Sequence, residues 1–301
     1  MPQFSKQPSI AAFYVPRWPI VFIPLWLAGC SQPEPAQANV NSSVAAVVAQ
    51  PGTASGIAPT AASTTAPHDL SLWPKLTSPL GDNAEQEQRI SEMLAQMTAA
   101  QKVAQVIQPD IRWMSFEEMR QYGFGSYLNG GGAYPQNNKQ ATAAEWLALA
   151  QQYYLAGVDA SLDGSSIPPL WGTDAVHGHN NVFGATVFPH NIGLGAANNP
   201  QLMQAIGAAT ATEVAATGIN WMFAPTVAVA RDDRWGRSYE SYAEDPAIVQ
   251  QLSAALVKGI QGPVGDKMFT PGHLLATAKH YLGDGGTDNG KDQGNNSLTE
   301  A

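Results

Sequence analysis

The sequence predicts an α/β fold in which parallel strands alternate with helices. Three observations predict it: five short stretches suited to buried strands, helical stretches between them, and polar clusters directly after several strands. The strands are apolar on both faces, as in a parallel sheet that helices cover. Because the loops after the strands of a (β/α)8 barrel share one face, the clusters favour an incomplete TIM-like barrel with about five of eight strands.

An open, doubly wound sheet is the alternative arrangement. Its dinucleotide-binding form carries G-x-G-x-x-G after the first strand, and no such motif follows the first strand predicted here. The chain of 301 residues has a net charge of −9 and a pI near 5.0, which argue against a nucleic-acid partner. Neither a P-loop nor a G-x-S-x-G motif occurs, and no cofactor is predicted.

Residues 1–67 precede the predicted folded region at 68–301. The uncharged stretch WPIVFIPLWLAG is too short to span a membrane and suits the apolar region of a secretory signal. Cys30, the only cysteine, follows it directly, and LAGC resembles a bacterial lipobox. We therefore expect a lipoprotein signal at 1–30, lipidation of Cys30 and, since Ser31 follows, an outer-membrane location; an ordinary signal peptide is the alternative. Residues 31–67, rich in Ala, Ser, Thr, Pro and Gln, predict a disordered linker.

Helices are predicted where apolar residues recur every three or four positions behind a capping residue. Asp82 and Glu85 form a capping-box pattern ahead of the first helix. Asn199-Pro200 and Asp245-Pro246 open two later helices, and Gly218 suits the end of the former. The apolar helix faces are, in chain order, Ile90, Met93, Leu94 and Met97; Trp146, Leu149, Ala150 and Tyr153; and Val249, Leu252, Leu256 and Ile260.

Strands are predicted where β-branched and aromatic residues form short apolar runs. The five predicted strands lie within KVAQVIQ (102–108), GFGSYLNGGG (123–132), PPLWGTDAVHG (168–178), INWMFAP (219–225) and LLATAKHYLG (274–283).

Three polar segments follow the later strands: GTDAVHGHN, ARDDRWGRSYESYAEDP and AKHYLGDGGTDNGKDQGNN. In this order they strongly resemble the signature segments of family 3 glycoside hydrolases, in the branch of β-glucosidases and exo-β-glucanases. The resemblance extends from about Leu72 to the end of the chain. It implies an N-terminal barrel domain of a retaining O-glycosyl hydrolase. Such an enzyme releases glucose from the non-reducing ends of β-glucans or of cello- and laminari-oligosaccharides.

Carried over residue by residue, the resemblance implies that Asp174 accepts hydrogen bonds from a glucosyl residue, to which Arg237, Lys279 and His280 donate. A carboxylate and cationic donors suit a ring rich in hydroxyls, since charge-assisted hydrogen bonds are strong. Asp174 could instead be a loop cap, and Arg237 a structural ion-pair partner of Glu240 or Glu244. Lys279 and His280 are adjacent, so both can reach one site only where their strand ends.

The other polar residues of these segments have structural interpretations. Arg231, Arg234, Asp232 and Asp233 are expected to brace their loop, and Trp235 to pack beneath it. His177 and His179 could suggest a metal, but two histidines are a weak signal, so loop hydrogen bonds are expected and no metal is predicted. The glycine-rich segment 283–296 fits no calcium loop and is expected to be structural or rim-forming.

Neither catalytic carboxylate of the family can be assigned within this sequence. The family's nucleophilic aspartate lies in an S-D-W-like motif on a later strand, and no such tripeptide occurs here. The acid/base glutamate comes from a second domain. The resemblance therefore implies that both lie beyond Ala301, that the rest of the barrel and that second domain complete the enzyme, and that this chain alone is inactive.

Two other functions stay open at this point. A non-catalytic sugar-binding lipoprotein would use the same pocket without the carboxylates. A β-N-acetylhexosaminidase is disfavoured, because KHYLGDGGTD does not match the histidine loop of that branch of the family.

Overall fold

The structure is a computed structural model, and it describes residues 75–78 and 80–297. The predicted signal peptide, Cys30 and the predicted linker lie outside the described residues. The α-helices are α1 (Ala84–Gln96), α2 (Ala99–Gln105), α3 (Phe116–Tyr122), α4 (Ala143–Gly157), α5 (Ala160–Asp163), α6 (Asn191–Ala197), α7 (Pro200–Ala216) and α8 (Pro246–Gln261). Across the described ranges, none of the helices combines the length and apolar character that crossing a membrane requires.

Four parallel strands form one sheet in the order β1-β2-β3-β4. Their bounds are β1 (Ser126–Asn129), β2 (Leu170–Thr173), β3 (Trp221–Met222) and β4 (Leu275–Ala276). Each strand pairs with the next one along the chain, and helices connect them: α4 and α5 precede β2, α6 and α7 precede β3, and α8 precedes β4. The predicted α/β fold with a parallel sheet is confirmed, whereas closure into an eight-stranded barrel stays a prediction.

The strand predicted at 102–108 is wrong, because α2 covers most of it. Thr98 and Gln101 form a capping box: the Thr98 side chain accepts from the Gln101 backbone N–H at 3.2 Å, and Gln101 Oε1 accepts from the Thr98 N–H at 2.8 Å. The chain reaches the sheet only at Asp110, which forms a single parallel bridge with Leu128. Proline at the preceding position has no N–H to extend such a ladder.

The first helix begins one residue later than its predicted capping box. Asn83, not Asp82, is the N-cap, since its Oδ1 accepts from the backbone N–H of Gln86 at 3.0 Å. Three side chains of the apolar face predicted for this helix are exposed instead of buried: Ile90 is 43%, Met93 40% and Leu94 47% exposed. The apolar spacing therefore identified a helix but not a packed one within the described residues.

The other predicted helices are confirmed and supply the core. Asn199 and Asp245 are the N-caps of α7 and α8, and Gly218 follows α7 with a positive φ of 80°. Four aromatic side chains from β1, β2 and α4 pack with ring centroids between 4.8 and 6.5 Å apart: Tyr127, Trp146, Tyr153 and Trp171. All of them are buried, as are the four predicted apolar residues of α8, so the helices pack against the sheet.

The crossing of α7 and α8 depends on two glycines. A Cβ on Gly259 would lie 2.2 Å from the carbonyl oxygen of Gln204, and one on Gly207 would lie 2.6 Å from that of Leu256. No side chain fits at such distances, so these glycines allow the two backbones to approach closely. The two helices that precede and follow β3 in the chain are thereby held in close contact.

Candidate functional site

A cavity of about 600 Å³ lies at the carboxyl ends of β2, β3 and β4. Because the carboxyl ends of neighbouring parallel strands meet at one edge of a sheet, the segments that follow them lie side by side. The lining residues are Asp174, Val176, His177, Asn180 and His190 after β2; Phe223, Arg237, Tyr239 and Glu240 after β3; Thr277, Lys279 and His280 after β4; and also Gln108 and Trp221.

All four residues predicted to bind a sugar line this cavity. Lys279 Nζ donates to Asp174 Oδ1 at 2.6 Å, a contact between the segments after β4 and β2. The Lys279 side chain is 17% exposed, whereas Asp174 is 49% exposed and so faces the open part of the cavity. The structure therefore pairs the predicted acceptor with a predicted donor, and their roles toward a sugar stay predictions.

The guanidinium group of Arg237 forms a bidentate pair with the Glu240 carboxylate, called the Arg237 fork below. Nε donates to Oε1 and Nη2 to Oε2, both at 2.7 Å. A short 3₁₀ turn, Ser238–Glu240, brings the two side chains onto one side, and Asn191 Nδ2 anchors this turn through the Glu240 carbonyl at 2.7 Å. Of the two partners that the sequence left open for Arg237, the structure selects Glu240 over Glu244.

Charge around Glu240 keeps it ionised. Burial would raise its pKa, but the hydrogen bonds and charge of Arg237, with the charge of the nearby Lys279, bring the pKa below its ordinary value. The hydrogen bonds from Glu240 in turn raise the pKa of Arg237. Both members of this pair are therefore charged throughout the neutral range.

His280 connects the Arg237 fork to the glycine-rich segment. Its Nε2 lies 3.1 Å from Arg237 Nη2, and its Nδ1 lies 2.6 Å from Asp284 Oδ2. β4 ends at Ala276, so Lys279 and His280 follow the strand instead of lying within it, and the peptide bond between them is cis. Both side chains reach the cavity at the end of their strand, as the sequence predicted.

The loop that carries Arg237 is braced largely as predicted. Asp232 accepts from Arg234 Nε at 2.9 Å and Nη2 at 2.5 Å. Trp235 is 1% exposed beneath the loop, and its Nε1 donates to Asp292 Oδ1 at 2.9 Å, which ties the loop to the glycine-rich segment. Asp233 is the exception, because its side chain is exposed and makes no such pair within the described residues.

The histidines that raised the metal question make hydrogen bonds within the fold. His177 Nδ1 bonds to the carbonyl of Phe188 at 2.7 Å, and His179 Nε2 lies 3.0 Å from Thr217 Oγ1. Burial lowers the pKa of His179 to about 4. Residues 75–78 and 80–297 contain no group of three or more His, Cys, Asp or Glu side chains that could hold a metal ion.

Sequence reasoning missed several residues that line the cavity. The rings of His177 and His190 lie 3.9 Å apart, and His190 contacts Tyr239 edge-on at 4.7 Å, so these rings form one wall. Tyr239 lies two residues from Arg237, a signal that could have been used. Gln108 was hidden in the stretch wrongly predicted as a strand, and nothing local identifies His190.

Comparison with known proteins identifies the domain. The profile of the glycosyl hydrolase family 3 N-terminal domain matches residues 98–301. The chain belongs to glycosyl hydrolase family 3. This family 3 chain is 30% identical over 222 residues to the lysosomal beta glucosidase of Dictyostelium discoideum, covering 68% of the chain and 27% of that protein. It is 33% identical over 128 residues to a beta-xylosidase of Formosa agariphila, covering 42% of the chain and 17% of that protein.

The crystal structure of the exo-1,3/1,4-beta-glucanase from a Pseudoalteromonas species is similar to this family 3 domain. The two sequences are 56% identical, and the two structures superpose with a TM-score of 0.73. The match covers 76% of this chain and 29% of the glucanase chain. The chain thus spans less than a third of the length of these relatives. What it shares with them is the N-terminal domain of family 3.

Proposed function

We propose that this chain carries the glucosyl-binding part of a retaining β-glucosidase or exo-β-glucanase. Its substrates would be β-linked glucans or cello- and laminari-oligosaccharides, from whose non-reducing ends glucose is released. The observation that carries the proposal is the convergence of Asp174, Arg237, Lys279 and His280 from the ends of three consecutive strands onto one cavity. The similarity to a beta glucosidase and to an exo-1,3/1,4-beta-glucanase supports it.

In this proposal the Asp174 carboxylate accepts hydrogen bonds from sugar hydroxyls, and Lys279 and Arg237 donate to others. Such charge-assisted bonds are about twice as strong as neutral ones. A site whose polar groups are left unpaired by the wrong sugar discriminates sharply against it. Hydrogen bonds that strengthen as the ring flattens toward an oxocarbenium ion would favour the transition state over the bound substrate.

We assign no catalytic carboxylate in this chain. The aspartates of the glycine-rich segment have other partners: Asp284 bonds to His280, Asp292 to Trp235, and Asp288 to Asn295. The nucleophile and the acid/base of the proposed retaining reaction are expected outside these 301 residues. The contribution of this chain is to bind and orient the sugar.

The test is calorimetric titration of the chain with D-glucose, D-xylose and N-acetyl-D-glucosamine. We expect glucose to bind best and Asp174→Asn to weaken it by roughly 10- to 100-fold, since hydrogen bonds to charged groups are worth about 1.5–3 kcal/mol. Asp266→Asn is the control, because Asp266 is exposed in the loop that leads into β4, at the other end of the strand. Tighter binding of xylose would favour a xylosidase, and tighter binding of N-acetylglucosamine a hexosaminidase.

We also propose that Cys30 is acylated and anchors the protein in the outer membrane. The LAGC sequence behind an apolar stretch supports this, and Cys30 is the only thiol that could be modified. Labelling of cells with an alkynyl fatty acid should mark the wild-type protein and not Cys30→Ser. Unlabelled wild-type protein in the soluble fraction would show an ordinary signal peptide instead.

A further inference from the structure

The imidazole of His280 is held at both nitrogen atoms. Asp284 Oδ2 lies 2.6 Å from Nδ1, and Arg237 Nη2 lies 3.1 Å from Nε2. The Asp284 side chain is 13% exposed, so this carboxylate is largely withdrawn from water. Asp284 itself does not line the cavity that contains His280 and Arg237.

The partners of the ring determine which nitrogen carries the proton. A guanidinium group has only donors, so Nε2 can face Arg237 only as an acceptor. The ring proton is therefore on Nδ1, where it is donated to the Asp284 carboxylate. A ring in this tautomer has no N–H left for a sugar hydroxyl, so the donor role that the family resemblance implied for His280 does not fit this arrangement.

The same bonds account for most of the donors of Arg237. Of its five N–H groups, the one on Nε and one on Nη2 serve Glu240, and the second on Nη2 serves His280. Within the described part of the chain, the two N–H groups on Nη1 are left for a ligand. The orientation of Nη1 is fixed only if both Glu240 and His280 keep their positions.

We propose that Asp284 is a positioning residue for the sugar site. It holds His280 in the Nδ1–H tautomer, and His280 in turn holds Arg237 so that the Nη1 groups face the ligand. Without the carboxylate, the ring can take its other tautomer, in which Nε2–H opposes an N–H of Arg237. Two donors repel each other, so Arg237 would lose its third hydrogen bond and its fixed orientation. This role rests on the proposed function of Arg237.

The first measurement is the protonation state of His280 in the 301-residue chain without ligand. With ¹⁵N-labelled histidine, long-range proton–nitrogen spectra separate Nδ1–H from Nε2–H rings, and only six histidines need assignment. We expect the wild type and Asp284→Asn, which retains an acceptor oxygen, to show Nδ1–H. Asp284→Ala should show a substantial Nε2–H population. A purely structural role of Asp284 would leave the tautomer unchanged.

The second measurement is glucose affinity in the same variants. We expect Asp284→Ala to weaken binding about tenfold and Asp284→Asn by less, since one hydrogen bond to a charged group is at stake. Asp288→Ala is the matched control, because within the described residues the Asp288 side chain bonds to Asn295 and Ser297 and not to His280 or Arg237. It should change the affinity by less than about twofold and leave the His280 spectrum as it is.

The outcomes separate the two proposals. A wild-type ring protonated at Nε2, or wild-type affinity in Asp284→Ala, overturns the positioning role while the sugar site stands. Failure of the wild type to bind glucose overturns the proposed function. If Asp284→Ala does not fold, the wild-type spectrum and the affinity of Asp284→Asn decide: Nδ1–H with a weakened affinity supports the role, and Nε2–H overturns it.

Discussion

Replacing Glu240 by glutamine tests whether the fork on Arg237 holds the site together. The change keeps the shape of the side chain but replaces one acceptor oxygen by an NH₂ donor. Of the two 2.7 Å hydrogen bonds, one can remain, and the other becomes a contact between two donors. Glu240 is 16% and Arg237 28% exposed, so water can relieve only part of the loss.

The magnitude follows from these exposures. Removing one partner of a fully buried pair costs about 3–5 kcal/mol, and a single hydrogen bond to a charged group contributes about 1.5–3 kcal/mol. Because Arg237 retains one bond and some access to water, we expect the free energy of unfolding to fall by about 2 kcal/mol. Glucose affinity should fall by up to about 30-fold, the factor to which that energy corresponds, because Arg237 is no longer fixed.

The assays are urea unfolding and glucose titration of the same preparations. Glu244→Gln is the matched control: it lies in the same loop and is exposed, and within the described residues Arg231 bonds to its backbone carbonyl while its side chain makes no hydrogen bond. This control should stay within about 0.5 kcal/mol of the wild type. Wild-type stability and affinity in Glu240→Gln would refute the reasoning, since the fork would then contribute nothing.

Three further predictions concern stability and activity. Burial lowers the pKa of His179 from 6.5 to about 4, so the unfolded chain binds a proton there before the folded one does. Stability should therefore fall as pH drops from 6.5 toward 4, with a loss in melting temperature on the order of 10 °C. His179→Asn should make the melting temperature less dependent on pH in this range, and an unchanged dependence would contradict this. Gly259→Ala should lower the free energy of urea unfolding by about 1–3 kcal/mol because α7 and α8 must separate, whereas Gly131→Ala, which meets no neighbouring atom, should not; equal effects would exclude the crossing as the cause. The 301-residue chain should release no nitrophenol from an aryl β-glucoside above a buffer blank, and measurable turnover would show that a catalytic carboxylate had been overlooked.

The four predicted site residues were named by resemblance to the family, and what the residues themselves indicated is that polar segments lie at strand ends. Asp174, Arg237, Lys279 and His280 each follow a strand, and that placement is local information. The caps Asn199 and Asp245 were predictable for the same reason, since a capping residue acts within one helical turn. Local signals also failed where two of them competed, as at 102–108, where β-branched residues favoured a strand and the Thr98–Gln101 capping box produced a helix.

Contacts between distant segments could not be predicted. The Lys279–Asp174 bond joins residues 105 positions apart, and its existence depends on the order of the strands in the sheet. The same holds for His190, which reaches the cavity wall only because α6 packs against the turn that contains Glu240. The choice of Glu240 over Glu244 depended on the turn at 238–240, whose geometry is not evident from composition.

The ionic groups that line the cavity already neutralise one another, and under the proposed function this would restrict which sugars can enter. Asp174 is paired with Lys279, and Arg237 with Glu240, while the Asp284 carboxylate is bonded to His280. An uncharged hexose only shares hydrogen bonds with these groups. A uronic acid would bring a further carboxylate into a site where each cation has its partner, and would have to displace one of them. The pocket should therefore exclude acidic polysaccharides by charge alone. In a competition experiment, glucose should bind in preference to glucuronate, and this preference should disappear when the glucuronate carboxyl group is protonated.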